Sequence, residues 1–112
     1  MIAWDILLTD QAEADLRRIY EYVAFTLLEP ATATRLIRRV VSQIAKLDHM
    51  PQSYALYPKE PWKSCGLRRV NTGNYAVFFV PVESKQTVVV IRIIYGGRDI
   101  EQILNDTQNL EQ

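Results

Sequence analysis

The stretch Gly66–Leu104, GLRRVNTGNYAVFFVPVESKQTVVVIRIIYGGRDIEQIL, decides the fold. Two runs rich in β-branched and aromatic residues, 75–82 and 87–95, flank Ser84-Lys85-Gln86, and a shorter run, about 66–71, precedes Thr72-Gly73-Asn74. Short β-type runs joined by tripeptides with glycine or polar residues are hairpin signals, so three consecutive strands are predicted. The last run leaves through Tyr95-Gly96-Gly97-Arg98-Asp99, where Asp99 suits the cap of a short helix carrying Ile100, Ile103 and Leu104.

Toward the N-terminus, Ile2–Leu8 reads as a short strand running into Thr9-Asp10. Asp10-x-x-Glu13 has the form of a capping pair, which predicts a helix start at that point. Ala12, Leu16, Ile19, Tyr20, Val23 and Leu27 recur at helical spacing, with Glu13, Asp15, Arg17, Arg18 and Glu21 assigned to the other side. Glu29-Pro30 breaks this helix, and Pro30 suits the first turn of a second one with the stripe Ala33, Leu36, Ile37, Val40, Ile44 and Leu47. The connection is so short that the two helices fold back as an antiparallel hairpin. Pro51, Pro58 and Pro61 mark 51–65 as an irregular connection holding Tyr54, Tyr57 and Trp62. The element order β-α-α-β-β-β-α describes an α+β domain, a helix hairpin packed on one face of a small, largely antiparallel sheet. The domain is expected over residues 1–105, with 106–112 a polar, frayed C-terminal tail. The pattern leaves the order of the strands open.

One domain is the natural content of 112 residues, and 48% apolar with 23% charged residues is an ordinary globular balance. No apolar run approaches the roughly 20 residues that span a bilayer, and Met1–Asp5 lacks the features of a secretion signal. The single Cys65 has no internal disulfide partner, which fits a reducing, cytoplasmic setting. Net charge is zero but unevenly spread: residues 59–98 carry seven basic side chains against two acidic, whereas 99–112 carry four acidic and none basic. A locally cationic sheet suits phosphate or an acidic partner, while the balanced total disfavours strong non-specific nucleic-acid binding.

The basic and aromatic residues of the strands are the site candidates. Arg68 and Arg69 are strand neighbours and so point to opposite faces; one is expected to pair with an acid of the helix hairpin and the other to reach solvent. Arg92 interrupts an apolar strand and needs a partner or water if its head is buried. Arg98 follows two glycines at the strand exit, where loop backbone and a guanidinium together suit an anion. Tyr75 and Tyr95 are either groove walls able to stack on a base or ordinary sheet-packing aromatics. His49, the only histidine, lies at a helix C-terminus and reads as structural. One histidine, one cysteine and no spaced carboxylate set give no metal site, and no cofactor fingerprint or Ser-His-Asp arrangement occurs. Trp62 and Cys65 read as packing residues.

This element order, with Leu67-Arg68-Arg69, Gly73-Asn74-Tyr75 and Gly97-Arg98-Asp99, resembles the RelE/ParE superfamily of bacterial type II toxins, associated with plasmid stabilisation. The resemblance covers nearly the whole chain and implies a toxin held by a cognate antitoxin, with a toxin–antitoxin hetero-oligomer as its assembly. RelE-like members cleave messenger RNA on the ribosome without a metal. On that pattern Arg98 matches the basic residue of the exit turn, Arg69 falls near a strand lysine, and Tyr95 stands where many relatives have histidine. RelE-like enzymes also carry an arginine where this chain has Ala76, and a tyrosine or histidine where it has Leu104. ParE-like members instead poison DNA gyrase by protein–protein contact, and the departures point that way. The resemblance therefore implies Arg68, Arg69, Tyr75, Arg92, Tyr95 and Arg98 as target- or phosphate-binding residues. It implies Arg69, Tyr95 and Arg98 as catalytic under the nuclease alternative, and no cofactor, metal or membrane in either case.

Overall fold

The structure, a computed structural model, describes residues 3–107. The chain runs β1 (Asp5–Leu8), α1 (Asp10–Glu21), a π-helical turn (Tyr22–Thr26), α2 (Pro30–Ala45), β2 (Arg68–Thr72), β3 (Tyr75–Val82), β4 (Thr87–Tyr95) and α3 (Ile100–Asn105). The α+β order predicted from the pattern holds throughout. Ile2 and residues 108–112, which the sequence reading assigned to the first strand and the tail, lie outside the described residues.

The sheet has the order β1-β4-β3-β2. β2, β3 and β4 form an antiparallel meander, and β1 pairs parallel with β4 from Asp5↔Thr87 to Leu8↔Val90. The pairing Thr72↔Tyr75 leaves Gly73-Asn74 as a two-residue loop, with Gly73 at φ 59°. Glycine adopts that conformation without a Cβ penalty, which holds the hairpin register. The outer edge of β2 is covered by the preceding connection, whose Ala55 carbonyl accepts from Arg69 N at 3.3 Å and whose Tyr57 N donates to Leu67 O at 2.8 Å.

Two apolar clusters sandwich the sheet. The helix hairpin closes the first, in which Ala12, Val40, Ile44 and Leu47 meet Val77, Phe79, Val88, Val90 and Ile93. The second, on the opposite face, joins Phe78, Ile91, Ile94 and Ala76 to Tyr57, Trp62 and Leu67 of the connection and Leu104 of α3. Phe78 and Phe79 are fully buried on opposite sides, each contributing about 2–3 kcal/mol of burial. An ion pair from Lys59 to Glu101 joins the connection to α3 and raises the Lys59 pKa, through hydrogen bonding first and charge second.

Three local expectations are corrected. The cap of α1 is Thr9, not Asp10: its hydroxyl oxygen accepts from Ala12 N at 3.1 Å, and the same hydroxyl donates to Ile91 O at 3.0 Å, tying the cap to β4. Helix 1 does not run as one regular helix to Leu27; its last turn widens to a π-turn and stops with Leu28 at φ 58°. Among the described residues neither Arg68 nor Arg69 pairs with an acid. Arg68 donates to Tyr54 O at 2.5 Å, and Arg69 donates to Asn71 at 3.0 Å with its guanidinium 5.6 Å above the Phe78 ring, on opposite faces as alternation requires.

Candidate functional site

β4 is nine residues long and β1 pairs with only its first four, so among the described residues the edge from Ile91 to Tyr95 has no strand beside it. α1 runs along that open edge instead. Asp15, assigned to the solvent side by helical periodicity, is buried at 5% exposure and takes the place of the missing strand: its Oδ2 accepts from Ile93 N at 2.9 Å. The same carboxylate receives Arg92 Nε at 2.7 Å and Arg92 Nη2 at 2.9 Å, a bidentate pair, and Arg18 Nη2 at 2.9 Å. A buried carboxylate with this many donors is satisfied, and removal of either partner would strand a charge.

A register shift between Phe78 and Phe79 makes the pair possible. Phe79 opposes Val90 and Phe78 opposes Arg92, which leaves Ile91 as the extra residue of a β-bulge. Strict alternation would put Val88, Val90, Arg92 and Ile94 on one face. The bulge resets the phase, so Ile93 joins Val88 and Val90 under the hairpin while Ile94 joins Ile91 opposite. Arg92, 13% exposed on its side chain, therefore has an internal partner in Asp15 and meets the groove only at its floor.

The basic and aromatic residues gather at the pole of the sheet where β4 leaves. Tyr95 and Tyr75, opposite each other in register, meet edge-to-face with ring centroids 5.5 Å apart. Gly97 allows this pose, because a Cβ there would lie 2.6 Å from Tyr95 Cε2. The exit turn is closed by Gly96 N donating to Asn74 O at 2.8 Å and Arg98 N donating to Tyr95 O at 3.0 Å, and Asp99 caps α3 by accepting from Gln102 N at 3.2 Å. Burial, with help from Tyr95 and Tyr22, pushes the Tyr75 hydroxyl above its ordinary value of 10.0. A hollow of about 200 Å³ lies between Arg69, Asn71, Asn74 and Tyr95.

On the other side of Tyr95 a groove of about 990 Å³ separates α1 and its π-turn from the pole, walled by Arg18, Tyr22, Phe25, Tyr75, Tyr95 and Arg98 among others. Sequence reasoning named the tyrosines and Arg98 but missed the α1 wall. The available signal was an excess of apolar residues: Tyr22, Phe25 and Leu28 are more than one buried stripe requires, and Phe25 is 65% exposed. Of the predicted residues, Arg69, Tyr75, Tyr95 and Arg98 come together at the pole. Arg68 is turned to Tyr54 on the hairpin face, and Arg92 lies at the groove floor with Asp15.

The pole holds arginines and tyrosines. The only histidine, His49, pairs with Asp48 at 2.8 Å, and Asp48 O accepts from Trp4 N just before β1, at the Thr87 end of β4. It is thus about 26 Å along the strand from Tyr95, at roughly 3.3 Å per residue. Among the described residues no group of three or more His, Cys, Asp or Glu side chains is placed to hold a metal ion, and no helix is long and apolar enough to cross a membrane.

A helix hairpin laid on a four-stranded sheet, with a short C-terminal helix, matches the RelE/ParE fold. The chromosomal ParDE toxin–antitoxin system of P. aeruginosa contains a similar chain, with a TM-score of 0.67 and 25% identity over 83% of this chain and 96% of that one. The RelBE2 toxin–antitoxin complex of Mycobacterium tuberculosis matches with a TM-score of 0.63 at 19% identity over 85% and 93%. A doubly substituted E. coli RelE toxin in the free state matches with a TM-score of 0.62 at 10% identity over 93% of each chain. No curated protein sequence matches. The family described as the ParE toxin of the type II toxin–antitoxin system, parDE, matches residues 6–100, and the chain belongs to that family. It is the toxin component of a type II toxin–antitoxin system.

Proposed function

We propose that this toxin acts as ParE-like proteins do, inhibiting DNA gyrase through a protein–protein contact made by the pole, with no reaction of its own. One observation carries the reading: the pole offers arginine and tyrosine, while the one imidazole lies at the far end of β4. Metal-free RNA cleavage needs a base for the 2′-hydroxyl and an acid for the leaving oxygen near neutrality. Tyr75 titrates still higher than an ordinary phenol, and the Asp15 carboxylate is filled by four donors. Ala76 and Leu104, which stand where RelE-like enzymes carry functional side chains, are both 1% exposed and sealed in the second cluster. Exposed guanidinium and phenol groups, by contrast, are the residues that anchor protein interfaces.

The neutralising partner in this reading is a cognate antitoxin, a segment of which orders along the groove. The solved relatives from P. aeruginosa and M. tuberculosis are described as toxin–antitoxin systems or complexes. Both candidate targets place the protein in the cytoplasm, in keeping with the single Cys65.

The test is supercoiling by purified gyrase with the chain at micromolar concentration. Inhibition with accumulation of gyrase-linked DNA breaks is expected, and Arg98→Ala is expected to lose it with the fold intact. Undisturbed supercoiling would overturn the proposal. The nuclease alternative rests on Tyr95, which borders both the hollow beside Arg69 and the groove beside Arg98. It requires that ribosome-bound messenger be cleaved by the wild type and spared by Tyr95→Phe and Arg98→Ala.

A further inference from the structure

The outer face of α2 carries one sign of charge. Its 16 residues include Arg35, Arg38 and Arg39 and no acid, whereas the 12 residues of α1 mix two arginines with four acids. Val40 and Ile44 turn α2 into the first cluster. At about 100° per residue the three arginines fall on the opposite side, with Ser42 and Lys46 in the same stripe, and all five are exposed. Among the described residues none of these four cations forms an ion pair. Arg35 donates to the Thr32 hydroxyl at 3.2 Å, which itself donates to Glu29 at 2.8 Å.

Arg35 stands three and four residues from Arg38 and Arg39, spacings at which like charges destabilise a helix. An external polyanion relieves that repulsion. The face suits a phosphate backbone better than a protein. Protein interfaces centre on large apolar or aromatic anchors, and the one large apolar side chain exposed on α2, Val41, stands at the margin of the stripe. Arginine, lysine and serine are, by contrast, the side chains that contact phosphate oxygens. At about 1.5 Å per residue, Arg35 to Lys46 spans about 16 Å, the length of about five phosphates of one DNA strand. Arg39 carries the line onto the sheet: a Cβ on Gly73 would lie 3.7 Å from its Nη1, and Gly73 lines the hollow beside Arg69. With a net charge of zero on the whole chain, such binding is weak and strongly salt-dependent.

We propose that the outer face of α2 is a docking surface for the phosphate backbone of duplex DNA, held through Arg35, Arg38 and Arg39 without reading the bases. This contact is separate from the one made by the pole and stands whichever target the pole meets.

The test is the fluorescence anisotropy of a short labelled DNA duplex titrated with the full chain, between about 50 and 200 mM salt. Each phosphate contact adds about 0.9 to the slope of log affinity against log salt, so Arg35→Gln/Arg38→Gln/Arg39→Gln should flatten it by about 2.7. Over that salt range the wild type then loses about 40-fold more affinity than the variant. Arg17→Gln/Lys63→Gln/Lys85→Gln removes the same charge from exposed positions elsewhere and should change the slope by less than about 1. Glutamine keeps the helix propensity of α2, which circular dichroism checks. Should the α2 triple variant lose helix, Arg38→Gln alone is expected to flatten the slope by about 0.9. Equal changes in the two triple variants would overturn the proposal, as would no binding of the duplex at about 50 mM salt. Tighter binding of a glutamate-rich peptide than of the duplex, lost in the α2 variant, would also overturn it and assign the face to an acidic protein segment.

Discussion

Replacing Asp15 by alanine removes four acceptor contacts at once: two from Arg92, one from Arg18 and one from Ile93 N. Arg18 is largely exposed and regains water, so its loss costs little. Arg92 does not, because its side chain is 13% exposed and Thr107 satisfies only one of its nitrogens. Breaking a buried ion pair by deleting one partner costs about 3–5 kcal/mol. The orphaned Ile93 N–H falls on the same scale as other lost buried bonds, about 1–3 kcal/mol, and water entering at the open β4 edge offsets part of it. The expected destabilisation is about 4 kcal/mol, a large share of the roughly 5–15 kcal/mol typical of a domain. At roughly 4–8 °C per kcal/mol, Tm should fall by about 15–30 °C. Urea unfolding followed by tryptophan fluorescence reads this directly, since Trp4 packs against the first cluster and Trp62 belongs to the second. The double replacement Asp15→Leu/Arg92→Met should recover most of the loss, because it removes both charges and leaves only the Ile93 donor unmet. A cost below about 1 kcal/mol for Asp15→Ala, or a double variant no better than the single one, would refute the assignment of Asp15 as the substitute for a strand.

Other outcomes follow from single features. Gly97→Ala should displace the Tyr95 ring, whose Cε2 lies 2.6 Å from the new Cβ, and weaken the proposed gyrase inhibition several-fold in the supercoiling assay. Stability should fall by only about 1 kcal/mol in the urea titration, the scale of one aromatic pair. Leu28→Gly should stabilise by roughly 1 kcal/mol, because Leu28 holds φ 58° while 79% exposed and loses no packing; a drop in Tm would refute the strain. Tyr75 has a raised folded pKa, so the folded state holds its proton longer than the unfolded chain; its contribution is present below about pH 10 and is lost as pH rises through the folded value. Tyr75→Phe should therefore show a smaller loss of Tm between about pH 9 and 11 than the wild type.

The parts of the fold that were legible in the sequence are those written in local pattern. Gly73-Asn74 and the polar tripeptide after Glu83 punctuated the meander, Pro30 opened α2, and Asp99 capped α3 as expected. The first cap was misplaced by one residue because Asp10 and Thr9 are both good caps, and the choice is made by the bond from the Thr9 hydroxyl to Ile91 O, 82 residues away. The pole was partly legible, since glycines beside Tyr95 and Arg98 mark a turn that exposes side chains. The α1 wall of the groove was not, because periodicity assigns a helix one buried face and is silent on exposed apolar residues beyond it.

By itself the sequence determined the elements, their order and the residues that end at the exit turn of β4, since capping, alternation and turn chemistry act over a few neighbours. Only the tertiary structure decided that β1 inserts beside β4 and stops after four residues. It also decided that a bulge resets the phase of β4, and that a carboxylate read as solvent-facing closes the sheet edge against Arg92. The reason is physical: a backbone donor without a strand neighbour must be satisfied by whatever the packed helix presents, and that meeting depends on contacts 77 and 78 residues apart.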